Sequence, residues 1–190
     1  MQVAFCAFDG MTPLDFVGCY DAVTRLDRMD IAELSWDVCG PTPEVRAAGL
    51  RLGVDRVTPD LGEYDLVFVP GGAGVDTLLD DDEALDWLAG AAGARYVSAV
   101  CTGALLLGAA GLLEDRAATT HPSARERLAT HATAVDARIV HDGTVITGGG
   151  VSASIDLGLY LVSQLAGDAA RETIATQMDY PYGPPPVYRP

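Results

Sequence analysis

The segment Ala99-Val100-Cys101-Thr102-Gly103 has the most chemistry to offer. An apolar run ends at Cys101 and a helical pattern begins at once, with small residues two positions before and two after the cysteine. That is what a nucleophile elbow needs: a sharp, strained turn between strand and helix, where backbones pass closely and the middle side chain projects outward. A cysteine at a helix N-terminus also meets the positive end of the helix dipole. This is expected to lower its pKa and favour the reactive thiolate. Cys6, Cys19 and Cys39 lack that context and are read as core filling.

Asp15, in Thr12-Pro13-Leu14-Asp15-Phe16-Val17, stands in the first turn of an expected helix among apolar neighbours. Two readings stay open. It is a dipole partner or cap, worth some tenths of a kcal/mol to about one. Or it is a carboxyl in the same cleft as Cys101, desolvated enough to share a proton with the thiol. Pro70-Gly71-Gly72-Ala73-Gly74 follows an apolar run and precedes a helix. A dinucleotide fingerprint would need a third glycine where Thr77 stands, so the run is either an oxyanion hole of exposed amides or an ordinary tight turn. Gly148-Gly149-Gly150-Val151-Ser152-Ala153-Ser154 partly imitates a serine elbow, which makes Ser152 a candidate nucleophile or the N-cap of the next helix. His121, His131 and His141 are too scattered for a linear metal motif, and no metal is expected. Only His121, in Thr119-Thr120-His121-Pro122, has a loop-like setting that would face a cleft, with a structural role as the alternative.

The chain has 190 residues, with 12 Lys+Arg, 27 Asp+Glu and 49% hydrophobic residues. Every basic residue is an arginine. Without lysine, Schiff-base catalysis and a phosphate-binding P-loop are excluded. A net charge of -15 argues against nucleic acid or an anionic membrane as partner. The length fits one domain burying roughly 70% of its unfolded surface. No signal peptide or membrane span is visible, and four scattered cysteines without CxxC read as reduced thiols of a cytoplasmic protein.

The elements that must position these residues alternate. Strands are expected at 3–8, 34–39, 65–69 and 96–100, with one or two strands or a hairpin within 45–58. Two further strand runs flank a turn at Asp142-Gly143 within 139–147. Helices are expected at 14–29, within 80–93, and at 102–113, 123–130, 152–165 and 169–178; those at 102–113 and 152–165 have almost no polar face and must be internal. Such alternation predicts a single α/β sandwich, a central and mostly parallel sheet with helices on both faces. Residues 1–179 make up this domain. The Tyr- and Pro-rich tail, 180–190, is expected to lie extended over the surface or against a partner subunit. Ligands of such sheets sit beyond the carboxyl ends of the strands, where the four loops described above lie.

With these loops in place, the chain resembles the ThiJ/PfpI superfamily, of flavodoxin-like, class I glutamine amidotransferase-like fold, over nearly its whole length. The resemblance rests on Asp9-Gly10, Asp15, Val69-Pro70-Gly71-Gly72, the Cys101 elbow, Ala118-Thr119-Thr120-His121, and Gly149-Gly150-Val151-Ser152-Ala153 with Ile155-Asp156-Leu157-Gly158. Cys-Thr-Gly and an aspartate at 15 are similar to the isonitrile hydratase branch and to amidotransferase-like sensor domains of AraC-type regulators. Thr102 replaces the histidine that peptidase and glyoxalase members commonly carry after the cysteine, and no helix-turn-helix segment is visible. The resemblance implies a homodimer and a cofactor-free hydro-lyase acting on small isonitriles. Cys101 would attack the terminal carbon, Asp15 would exchange the proton, and Thr102 would orient the substrate. Gly71, Gly72, Gly103, Ser152 and His121 would line its binding site. The alternatives are glyoxalase-like chemistry on small aldehydes, or a sensor whose Cys101 is oxidised to a sulfenic or sulfinic acid.

The excess of acid over arginine, with no lysine, also predicts a protein adapted to a salt-rich, halophilic cytoplasm, where screening softens self-repulsion. The unfolding midpoint is expected to rise between low and molar salt, as thermal melts will measure.

Overall fold

In a computed structural model describing residues 1–190, the most apolar runs of the chain become the centre of its sheet. The elements in order are β1 (Gln2–Cys6), α1 (Pro13–Arg28), β2 (Ser35–Gly40), β3 (Glu44–Ala47), β4 (Leu50–Gly53), β5 (Arg56–Val57) and β6 (Leu66–Val69). Next come α2 (Val75–Leu78), α3 (Asp82–Ala89), β7 (Tyr96–Val100), α4 (Gly103–Ala109), β8 (Ala117–Ala118), α5 (Arg125–Leu128) and β9 (Thr133–Ala134). The chain finishes with β10 (Ile139–Asp142), β11 (Val145–Gly148), α6 (Ala153–Ala166), α7 (Asp168–Gln177) and β12 (Val187–Tyr188). The eight-stranded sheet runs β12-β10-β11-β7-β6-β1-β2-β5, and every pairing is parallel except β10 with β11. One helix group, α1, α6 and α7, packs together, and α2, α3, α4 and α5 form the other. This is the single α/β layer arrangement that the alternation predicts, with β6 buried along its whole length as a sheet covered on both faces requires.

Register decides where the functional loops meet. Val69 pairs with Ala99, and Val100 pairs with Gly148, so β6, β7 and β11 end at one level. The loops leaving them are therefore neighbours. The fourth loop arrives with α1, whose Phe16, Cys19, Val23 and Leu26 form the buried stripe of a helix started by Pro13. That helix lies very close to α6: a Cβ at Gly18 would sit 2.2 Å from Ser154 Oγ, and Ser154 Oγ donates to Leu14 O at 2.9 Å. The close approach fixes the turn that carries Asp15.

Some boundaries differ from expectation. The helix expected at 102–113 stops at Ala109. Gly111 takes φ +78, while Leu112 N bonds Leu107 O and Gly111 N bonds Gly108 O at 2.9 and 3.0 Å, the paired bonds of a Schellman close. The short parallel pair β8–β9 has no signal in its sequence, because two-residue strands of small residues carry no period. In the tail, β12 joins the sheet edge beside β10.

Gly18→Ala is expected to overpack the α1–α6 seam and destabilise the fold by about 1–3 kcal/mol. Combining it with Ser154→Gly, which removes the struck side chain, is expected to recover part of that loss in thermal unfolding.

Candidate active site

β7 delivers Cys101 into a turn in which its φ is +56. A non-glycine residue there stores roughly 1–3 kcal/mol of strain and persists only if its surroundings hold it. Both backbone groups are pinned. Cys101 N donates to Gly148 O and Gly149 O at 3.1 and 2.7 Å, and Thr120 Oγ1 donates to Cys101 O at 2.7 Å. Gly71 lies directly against the elbow: a Cβ there would come within 2.6 Å of Thr102 N and 2.9 Å of Cys101 Cβ. Gly103 is as confined, against the carbonyls of Val69 and Pro70 at 2.6 Å.

Asp15 is fully buried. Its Oδ2 accepts from Gly71 N at 3.0 Å, and its Oδ1 has no hydrogen-bond partner. The Cys101 thiol interacts with the same carboxyl. Burial pushes the Asp15 pKa up to about 6, against the smaller opposing pull of the Gly71 N–H and the thiol. Cys101 is pushed up to about 11, first by burial and then by the Asp15 charge; the N–H and hydroxyl of Thr102 pull it down without prevailing. The expectation that a helix dipole would favour the thiolate is therefore corrected. The thiol is 6% exposed and faces a carboxylate, and these two effects outweigh the dipole of a helix seven residues long. Of the two, Asp15 ionises first, so the thiol keeps its proton while the carboxyl carries the charge.

The expected oxyanion hole is also revised. Gly71 N is engaged by Asp15, and Gly72 N donates to Thr102 Oγ1 at 2.9 Å, so these amides position the acid and the threonine and are not free for a ligand. Gly103 is buried packing beneath the elbow. Ser152 is exposed, with its Oγ 3.3 Å from Arg138 Nη1, and it does not line the cavity at Cys101. Nor does it cap α6, since Gly150 O and Val151 O already accept from Ala153 N and Ser154 N.

His121 does reach that cavity, a volume of about 280 Å³ also lined by Ala73, Cys101, Thr102, Arg127 and Val151. Its Nδ1 accepts from Ser123 N at 3.3 Å and lies 2.8 Å from Ser123 Oγ, which leaves the ring proton on Nε2. Across the same cavity Arg127 Nη2 pairs with Asp76 Oδ1 at 2.7 Å. Nothing in the sequence marks that pair, whose members lie in different elements. Thr120 was within reach of sequence reasoning through the Thr-Thr-His run. Cys6, Cys19 and Cys39 are buried in the core with their pKa values raised by burial, as their contexts imply.

The DJ-1/PfpI family profile matches residues 1–164. The chain belongs to the DJ-1/PfpI family. Among curated relatives it is 39% identical over 187 residues to "Isonitrile hydratase" of Pseudomonas putida, covering 97% of this chain and 81% of that protein. Among solved structures, a ThiJ/PfpI family protein from Pseudomonas syringae superposes with a TM-score of 0.87 at 32% identity, over 97% of this chain and 76% of that one. Drosophila melanogaster DJ-1beta superposes with a TM-score of 0.83 at 20% identity, over 95% and 98%, and shares the fold. No helix is long and apolar enough to cross a membrane.

Asp15→Asn keeps an acceptor for Gly71 N–H and removes a buried charge. Because the folded pKa, about 6, lies above the ordinary 3.8, the folded state holds the proton more tightly, and stability falls as pH rises from about 4 to about 6. The variant is therefore expected to be more stable than wild type at pH 7, by on the order of 1–3 kcal/mol, with the gain vanishing below about pH 4. Its Cys101 thiol is expected to ionise at lower pH, as thiolate absorbance will record.

Proposed function

We propose that the protein hydrates small isonitriles to N-substituted formamides, with Cys101 as nucleophile and Asp15 as the proton carrier. The observation that carries this reading is a buried carboxyl set against a buried thiol beside a small cavity, Asp15 Oδ1 being the unoccupied acceptor. The likeness to an isonitrile hydratase over almost the whole chain supports it.

The steps balance. Asp15 takes the thiol proton as Cys101 Sγ bonds the terminal carbon of R–N≡C, and returns it to that carbon, giving the thioimidate R–N=CH–S–Cys101. Water then adds to the carbon. One of its protons goes to the nitrogen and the other passes through Asp15 to sulfur as the C–S bond breaks, releasing R–NH–CHO and the free thiol. His121 lines the cavity with its ring proton on Nε2, and in this reading it donates to the substrate nitrogen as its charge develops. Thr102 holds Gly72 and the elbow together.

Cys101→Ala is expected to abolish formamide release and Asp15→Asn to lower it by orders of magnitude. Since Asp15 must be ionised to accept the proton, kcat/KM is expected to fall about tenfold per pH unit below pH 6. Full activity in the cysteine variant would refute the proposal. Peroxide converting Cys101 alone to a sulfinic acid, in a protein that releases no formamide, would replace the hydratase with a sensor.

A further inference from the structure

Nine of the chain's twelve arginines have a carboxylate within 4.0 Å, as an excess of acids would lead one to expect. Arg95, Arg171 and Arg189 do not. Arg95 lies over the Tyr96 ring, 5.1 Å from its centroid. The other two line one pocket of about 350 Å³ between α6, α7 and the C-terminal tail, sharing no residue with the Cys101 cavity.

Arg171 is 8% exposed. Its one side-chain hydrogen bond is long, from Nη2 to Tyr182 O at 3.4 Å. None of its nitrogens is sealed off without a partner, and the residue lines the pocket wall. A cation so little exposed and with no carboxylate within 4.0 Å is costly, and it is the sort of group that a ligand would satisfy. Arg189 stands on the pocket wall with Nη2 donating to Tyr160 Oη at 2.7 Å. Tyr160 Oη donates in turn to His141 Nδ1 at 2.7 Å, and His141 Nε2 donates to Gly143 O at 3.0 Å. That relay fixes Arg189 and leaves its other nitrogens free. Asp168 and Glu172 line the same pocket without pairing with either guanidinium.

We propose that this pocket binds a small monocarboxylate, gripped by Arg171 and Arg189. A planar guanidinium matches a carboxylate with two parallel bonds. Asp168 and Glu172 set the rest of the selectivity: they repel a second negative charge and attract an ammonium group on the same molecule. The ligand class is therefore a monocarboxylic acid anion, best of all an α-amino acid zwitterion, and not a dicarboxylate or phosphate.

Isothermal titration of the full chain with L-alanine, propionate, succinate and inorganic phosphate tests this. Saturable binding is expected for L-alanine and, more weakly, propionate, with succinate and phosphate weaker than L-alanine by about tenfold or more. Arg171→Gln is expected to weaken L-alanine binding about tenfold or more. Arg189→Gln, at an exposed position that leaves the core intact, is expected to weaken it several-fold. Cys101→Ala is expected to bind as wild type, which separates this pocket from the thiol site. No saturable binding of either monocarboxylate, or unchanged affinity in both arginine variants, overturns the proposal. Succinate or phosphate binding as tightly as L-alanine overturns the assigned ligand class.

Discussion

The site depends on one arrangement: a cysteine held in the left-handed region of backbone space, facing a carboxyl that has lost its water. Neither feature favours folding. A positive φ at Cys101 strains the turn, and a fully buried Asp15 with one bare oxygen has no solvent to stabilise its charge. What holds them is a set of backbone bonds from the surrounding loops, to Gly148, Gly149, Thr120 and Gly71. Each contributes about 0.5–1.5 kcal/mol net, and together they offset the strain. Functional sites are where proteins keep unfavourable local states of this kind.

The same bonds explain the division of labour among the glycines. The amides of Gly71 and Gly72 are committed to the side chains of Asp15 and Thr102, so the loop after β6 is a clamp that sets the distance from acid to thiol. The absence of side chains at Gly71 and Gly103 lets two strand ends approach until Thr102 N lies 2.6 Å from where a Cβ at Gly71 would be. In the proposed hydration, chemistry then falls to the groups left with capacity: the thiol, the bare carboxylate oxygen and the Nε2–H of His121.

Charge is distributed on a different logic. Half the arginines lie beside acids at or near the surface, where screened pairs contribute little to stability. Arg138 is an exception in purpose. It bonds Asp156, which also accepts from Tyr180, and so ties the start of the tail to α6. Arg171 and Arg189 are among the three arginines without an acid within 4.0 Å, and both line the pocket beside that tail.

The sequence by itself determined the layers and the order of the elements, because apolar runs of strand length and long amphipathic or apolar helices carry their periodicity in the residues themselves. It also marked Cys101, since an elbow demands small residues at fixed offsets, and it left Asp15 as either a cap or a proton partner. Only the tertiary structure buries Asp15 beside Gly71 and Cys101, because those neighbours come from far away in the chain. It also overrode three local inferences. The dipole argument at Cys101 is local, whereas desolvation and the Asp15 charge come from the fold. Gly71 and Gly72 look free in sequence because their partners lie elsewhere, and Ser152 turns to Arg138 because earlier carbonyls already satisfy the helix start. The pairs Asp76–Arg127 and Arg171–Arg189 left no trace in sequence at all, since a pocket is assembled from surfaces that periodicity does not encode.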